Sequence, residues 1–388
     1  MNIERNMSEA VQTTLAAVFF SMELSRSKWL VTCLAPGNGE RMSKHVIVAG
    51  DAAGLFELLD RIRDKARLRT GNHYPLVSIQ EAGLDGFWIH RILEKEGIES
   101  YVVDPASIST PRRRRRAKTD RLDGEILLRT LLAFKRGDPR VCSMVVVPSR
   151  EEEDRRRISR ERRALVNERV ALVNRIKGLF YSQGIFGFEP LKCDRRTRFA
   201  AIVDEHRQRM GPHLQAEAER VLGRIELIIE QIKALEKTRD SLAQPTPEIA
   251  TEPGVANLRM LRGVGPDFAE TLWAEGLYRH FDNRRQLAAY AGLAPTPWQS
   301  GTVNHEQGIS KAGNPRLRSI MVQLSWFWLL HQPDSALSRW FQDRVKKDNG
   351  RRKKVAIVAL ARKLLIALWK FVRHGVVIEG AVLKPAKA

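Results

Sequence analysis

The stretch Lys118-Thr119-Asp120-Arg121-Leu122-Asp123-Gly124-Glu125-Ile126-Leu127-Leu128 decides how the chain is read. Thr119 suits an N-cap, and the apolar run behind it predicts a helix. Asp120 and Asp123 are spaced i,i+3, so on that helix their carboxylates share one face. Both fall in the first turn, where the helix dipole helps keep them ionised. Two ionised carboxylates side by side repel unless a cation lies between them. A solvated acidic first turn is the plain alternative, and the rest of the chain weighs between the two.

Upstream, Val18–Leu24 and Lys28–Leu34 are β-rich runs joined by Ser25-Arg26-Ser27, as in a hairpin, and Ser43–Val48 follows as a third strand. Residues 51–67 carry helical spacing at Leu55, Leu58, Leu59 and Ile62. Residues 76–80 form a buried-type strand ending at Glu81, 85–96 a second helix, and Glu99–Val103 a fifth strand. Residues 142–147 also look extended, and residues 1–13 look like a loose extension. Three strands, helix, strand, helix, strand, loop, helix is the order of a ribonuclease-H-like α/β sheet. In that order Glu23 on the first strand, Glu81 at the end of the fourth, and Asp120 with Asp123 on the helix form one acidic set. Glu23 and Glu81 interrupt apolar β sequence, where an unpaired charge is costly. Four carboxylates suit Mg²⁺ or Mn²⁺ better than zinc, and two such ions can drive phosphodiester cleavage. Asp104 and Glu125 are nearby alternatives.

The 388 residues carry a formal net charge of +21, with 43% hydrophobic and 29% charged residues. Such an excess points to a polyanionic partner, nucleic acid first. Arg112, Arg113, Arg114, Arg115 and Arg116 stand in a row just ahead of Lys118 and Asp120. They read as a segment that orders on a phosphate backbone, and Arg352, Lys353 and Lys354 serve the same end. Three scattered cysteines suggest neither a zinc site nor a disulfide framework. With no signal peptide or membrane span in view, a cytoplasmic protein is expected.

Past residue 150 the pattern turns helical. Leu165, Val166, Val170, Leu172, Val173, Ile176, Leu179 and Phe180 trace a broad apolar stripe. Leu214, Ala218, Val221, Ile225, Ile228, Ile232 and Leu235 alternate spacings of four and three, a coiled-coil seam. That seam fits pairing between subunits or a hairpin within one. A proline-bearing linker at 244–253 precedes Gly263-Val264-Gly265, which resembles a helix-hairpin-helix turn able to hold a phosphate. The expected domains are 14–150, 151–245 and 254–388.

With these residues in hand, the chain resembles the DEDD-type transposases of bridge-RNA-guided insertion sequences and the related Piv-like DNA invertases. Lys118-Thr119-Asp120 with Asp123, Gly263-Val264-Gly265, Tyr290-Ala291-Gly292-Leu293-Ala294-Pro295, Ser300-Gly301, Gly308-Ile309-Ser310-Lys311 and Gly313-Asn314 carry the resemblance. It implies a RuvC-like nuclease domain binding Mg²⁺ (or Mn²⁺) through Glu23, Glu81, Asp120 and Asp123. It implies an α-helical coiled-coil middle that assembles a dimer or tetramer, and a mainly α C-terminal transposase domain with a catalytic serine. A structured guide RNA, the bridge RNA, would pair with donor and target DNA. The chain departs at Glu23, where the family usually has Asp.

By motif, Ser300 is the implied nucleophile. Gly301 leaves room for a phosphate, and Arg284, Arg285, Lys311, Arg316 and Arg318 are close enough in sequence to supply charge. Ser310 is the rival serine, His305 a candidate base, and Trp298 a candidate to stack on a base. Three functions remain open: an RNA-guided recombinase or transposase, a metal-dependent nuclease of resolvase type, and a basic RNA-binding scaffold. Site-specific inversion would use the same chemistry as transposition.

Overall fold

The computed structural model describes residues 15–39, 41–83, 86–108, 120–139, 141–242, 253–300, 303–347 and 352–384; side chains 106, 120–122, 242, 253, 297–300 and 303–307 are outside that description. The chain divides into two compact units, Met1–Val147 and Pro148–Ala388.

In the first unit, β1 (Val18–Leu24), β2 (Lys28–Leu34), β3 (Ser43–Val48), β4 (Leu76–Glu81) and β5 (Glu99–Val103) form one sheet in the order β3-β2-β1-β4-β5. β2 runs antiparallel to β1 and β3, while β1, β4 and β5 are parallel. Side chains alternate across the pleat. Val18, Phe20, Met22, Val31 and Ile47 therefore meet α1 (Ala52–Thr70) and α2 (Trp88–Lys95) on one face. Phe19, Val77, Ile79 and Val103 meet Leu127, Leu128 and Leu131 of α3 (Asp120–Lys135) on the other. Residues 142–147 form no strand, only a bridge from Met144 to Val103.

The second unit starts with α4 (Arg150–Tyr181), opened by a capping box in which Ser149 and Glu152 satisfy each other's backbone N–H groups. Past the short α5 (Arg195–Glu205), α6 (Pro212–Leu242) returns along α4. The pairs Arg175–Glu217, Arg224–Glu168 and Arg162–Glu236 step up one helix and down the other, so the two are antiparallel. The apolar seam of α6 is spent on this contact: Ala218, Val221, Ile225, Ile228 and Ile232 share one core with Leu172, Ile176 and Phe180.

The rest of the unit is α7 (Pro253–Met260), α8 (Pro266–Leu272), α9 (Arg284–Tyr290), α10 (Pro315–His331), α11 (Ala336–Lys347) and α12 (Lys353–His374). Its core centres on Trp328, whose indole N–H donates to Ser335 Oγ at 2.9 Å. Between α9 and α10 a two-stranded hairpin forms, β6 (Pro295–Ser300) and β7 (Val303–Ile309). The sequence pattern did not predict it. Among the described residues no helix is long and apolar enough to cross a membrane.

Candidate active site and the network behind it

The sheet brings two of the predicted acids to one place. Met22 pairs with Gln80 across β1 and β4, and Glu23 and Glu81 each stand one residue further on. Glu81 pairs with Val103, which lies on the α3 face, and Glu23 shares that face with Phe19 and Ser21. Neighbouring strands are roughly 4.8 Å apart, so the two carboxylates rise side by side at the carboxyl ends of parallel strands.

The helix α3 approaches the same point. Ser21 Oγ donates to the Gly124 carbonyl at 2.7 Å in a buried contact. A Cβ on Gly124 would lie 2.6 Å from Thr32 Oγ1 and 3.5 Å from Glu23 Oε1. Asp123 is adjacent to Gly124, and Asp120 opens the helix one turn earlier. Lys44 forms an ion pair with Glu125, and Glu125 is thereby placed on the β3 side of α3. Among the described residues no three His, Cys, Asp or Glu groups form a ready metal cluster, and the Asp120 side chain is outside them. The donor chemistry is all carboxylate oxygen, which fits a hard divalent cation. Glu23, Glu81 and Asp123, all described, do not by themselves make such a cluster, while Gly124 lets α3 come close to Thr32 and Glu23.

Arg112, Arg113, Arg114, Arg115, Arg116, Lys118 and Gly301 lie outside the described residues. Ser300 is the last residue of β6, paired with Val303 across the hairpin turn. Gly263 takes φ +86° and packs where a Cβ would meet His331 Cβ at 2.8 Å, so helix packing alone demands glycine there. Gly265 caps α8.

The segment following the hairpin is tightly fixed. Gly313 has φ +89°, and a Cβ there would lie 2.2 Å from the Tyr290 carbonyl oxygen. Lys311 adopts φ +57°, the left-handed region, without being glycine. Arg318 donates to the Lys311 carbonyl at 2.9 Å. Arg316 approaches Glu275 to 3.7 Å. Two of the predicted phosphate-binding arginines thus also hold the loop together.

Glu275 was not singled out from the sequence. It sits in the π-helical turn Trp273–Leu277 and is 3% exposed. Arg160 of α4 reaches both its carboxylate oxygens, at 2.9 and 3.3 Å. Asn314 donates to its carboxylate at 3.0 Å, and Asn314 and Tyr290 both donate to its backbone carbonyl. Burial pushes this carboxyl up, but the Arg160 and Asn314 hydrogen bonds and the charges of Arg160 and Arg316 outweigh it and hold the group below its ordinary range. The available signal was a pair of acids, Glu270 and Glu275, inside the otherwise largely apolar run Phe268 to Leu277, and nothing local separates the two.

Two family matches cover most of the chain, and the first extends past the sheet unit through α4. Residues 27–182 match the DEDD transposase family of IS110 type, and residues 255–340 match the Transposase IS116/IS110/IS902 family. The Sinorhizobium fredii protein y4rJ, provisionally named a transposase, is 60% identical over 382 residues, which cover 97% of this chain and 96% of that protein. A second protein of that organism with the same provisional name, y4qE, is 25% identical over 92% of this chain and 88% of its own. The transposase for insertion sequence element IS1328 of Yersinia enterocolitica is 26% identical over 46% of this chain and 52% of its own. On these matches the chain belongs to the IS110 family of DEDD insertion-sequence transposases, enzymes that process DNA.

Proposed function

We propose that the chain cuts and rejoins DNA through a RuvC-like metal site and a serine nucleophile, guided by a structured RNA. The observation that carries the reading is the sheet order 3-2-1-4-5 with an antiparallel second strand, together with Glu23, Glu81 and the first turn of α3 gathered at one sheet end. Glu23, Glu81, Asp120 and Asp123 would hold Mg²⁺ or Mn²⁺. When bound, such an ion would supply positive charge to the phosphoryl oxygens. In support, Glu23 Oε1 lies 3.5 Å from where a Cβ on Gly124 would stand, at the start of α3.

Ser300 is the proposed nucleophile. Its Oγ forms a bond to phosphorus, the bond from phosphorus to one deoxyribose oxygen breaks, and the serine proton ends on the departing oxygen. Attack by another strand's hydroxyl reverses the step, releases Ser300 and conserves the diester bond. Lys311 supplies positive charge beside the hairpin. Arg112 to Arg116 and Lys118 bind nucleic-acid backbone, and the guide RNA pairs with donor and target DNA. Assembly into a homo-oligomer of two or four chains belongs to the same reading.

The test is adduct trapping on a denaturing gel, with donor and target duplexes, the transcript of the gene's flanking non-coding DNA, and Mg²⁺. A slow protein–DNA band is expected, absent in Ser300→Ala and in Asp120→Ala. Cleaved DNA without an adduct would replace the serine step by metal-dependent hydrolysis.

A further inference from the structure

The contact between α3 and the sheet is mostly apolar, through Leu127, Leu128 and Leu131. Apolar burial is non-directional, so it does not by itself fix the rotation or axial position of a helix. A slip of one residue turns a helix by about 100° and shifts it by about 1.5 Å. Either would carry Asp120 and Asp123 away from Glu23 and Glu81.

One row across the same sheet face is polar. Lys44 pairs with Thr32 in the β2–β3 register, and Thr32 with Ser21 in the β1–β2 register. Each touches the start of α3. Lys44 is ion-paired with Glu125, Ser21 Oγ donates to the Gly124 carbonyl, and Thr32 fills the space where Gly124 would carry a Cβ. Ser21 and Thr32 are both 0% exposed. Thr32 is β-branched, so its rotamer is stiff and cannot swing aside cheaply.

We propose that Ser21, Thr32 and Gly124 lock the register of α3 and are positioning residues for the divalent-cation site. The inference rests on the metal-site reading given above. Gly124 makes it testable, because local preference and packing oppose each other there. Alanine is the better helix former, so Gly124→Ala should favour α3 locally. Its Cβ would nonetheless stand 2.6 Å from Thr32 Oγ1, inside contact distance, so the helix or Thr32 must shift. Melting temperature alone therefore does not report the lock, whereas metal affinity does.

The experiment is Mn²⁺ titration of the full-length protein by electron paramagnetic resonance. Gly124→Ala should weaken Mn²⁺ binding roughly tenfold to a hundredfold, the range seen when groups that orient metal ligands are lost. Gly124→Ala with Thr32→Ala should recover most of it, since the blocking atoms are gone. Gly124→Ala with Thr32→Val should not, because the bulk remains. Ser21→Ala removes a single buried hydroxyl and should weaken Mn²⁺ binding on its own, which covers the case of Gly124→Ala failing to fold. Wild-type affinity in Gly124→Ala or in Ser21→Ala, or equal rescue by Thr32→Val and Thr32→Ala, would overturn the proposal. Loss of Mn²⁺ binding in the wild type itself would instead overturn the metal-site reading, and the lock with it.

Discussion

Replacing Glu275 by Gln keeps the side-chain volume and removes the charge. The carboxylate is 3% exposed and receives Arg160 on both oxygens and Asn314 on one. Breaking a fully buried ion pair costs about 3–5 kcal/mol. Here Arg160 keeps 43% of its side chain in solvent and can rehydrate, and Asn314 retains its bonds to the Glu275 carbonyl and the Tyr290 hydroxyl. Hydrogen bonds to charged groups contribute about 1.5–3 kcal/mol each, so a net loss of about 2–3 kcal/mol is expected. For a unit of this size that is a fall in Tm of roughly 5–10 °C, at about 2–4 °C per kcal/mol. Differential scanning calorimetry of the C-terminal unit's transition in the full chain measures it. The pH dependence gives a second reading. The folded-state pKa is depressed, so the stabilisation is present above the ordinary value of 4.5 and is lost as pH falls through the folded-state value. The gap between wild type and Glu275→Gln should be widest near neutrality and close in acid. A gap below about 1 kcal/mol, the scale of an exposed pair, or one that does not change with pH, would refute the network as a load on stability.

Gly313→Ala must place a Cβ 2.2 Å from the Tyr290 carbonyl oxygen at φ +89°; a loss of about 3 kcal/mol or more is expected by chemical denaturation. Replacing Arg112 through Arg116 by glutamine should reduce the log–log salt slope of duplex binding by up to about 4–5, at ~0.9 per phosphate lost; fluorescence anisotropy across a salt series checks this. Cys33 is 1% exposed, with its thiol pushed up by burial to about 12, whereas Cys193 is exposed. A thiol reagent at neutral pH should therefore label Cys193 in the native protein and reach Cys33 only after unfolding, as mass spectrometry of the peptides would show.

What the sequence revealed depended on how local the determinants were. Strands β1 to β5 were readable because each is a short apolar run bounded by turn residues, and the acids stood out as charges inside those runs. Helix α2 starts at Trp88 rather than 85, a boundary that periodicity does not resolve. The β6–β7 hairpin was missed because Pro295 and Pro297 and the polar Gln299-Ser300 lack β character. Two prolines are tolerated on a two-stranded ribbon with free edges, and the register shifts between them. The seam of α6 was visible, but its partner was not, since apolar spacing says nothing of which helix covers it. Glu275 was beyond reach because its partners Arg160 and Asn314 lie 115 and 39 residues away.

Lys311 carries a consequence for how this surface evolves. A lysine at φ +57° gives up about 1 kcal/mol relative to a residue at ease there. Selection for stability alone would drift toward glycine or asparagine at this position, since neither resists the left-handed conformation. The proposed contact of its ammonium group with a phosphoryl oxygen would offset that cost. Directed evolution for thermostability without a transposition screen should therefore lose Lys311 early, gaining heat resistance as activity falls.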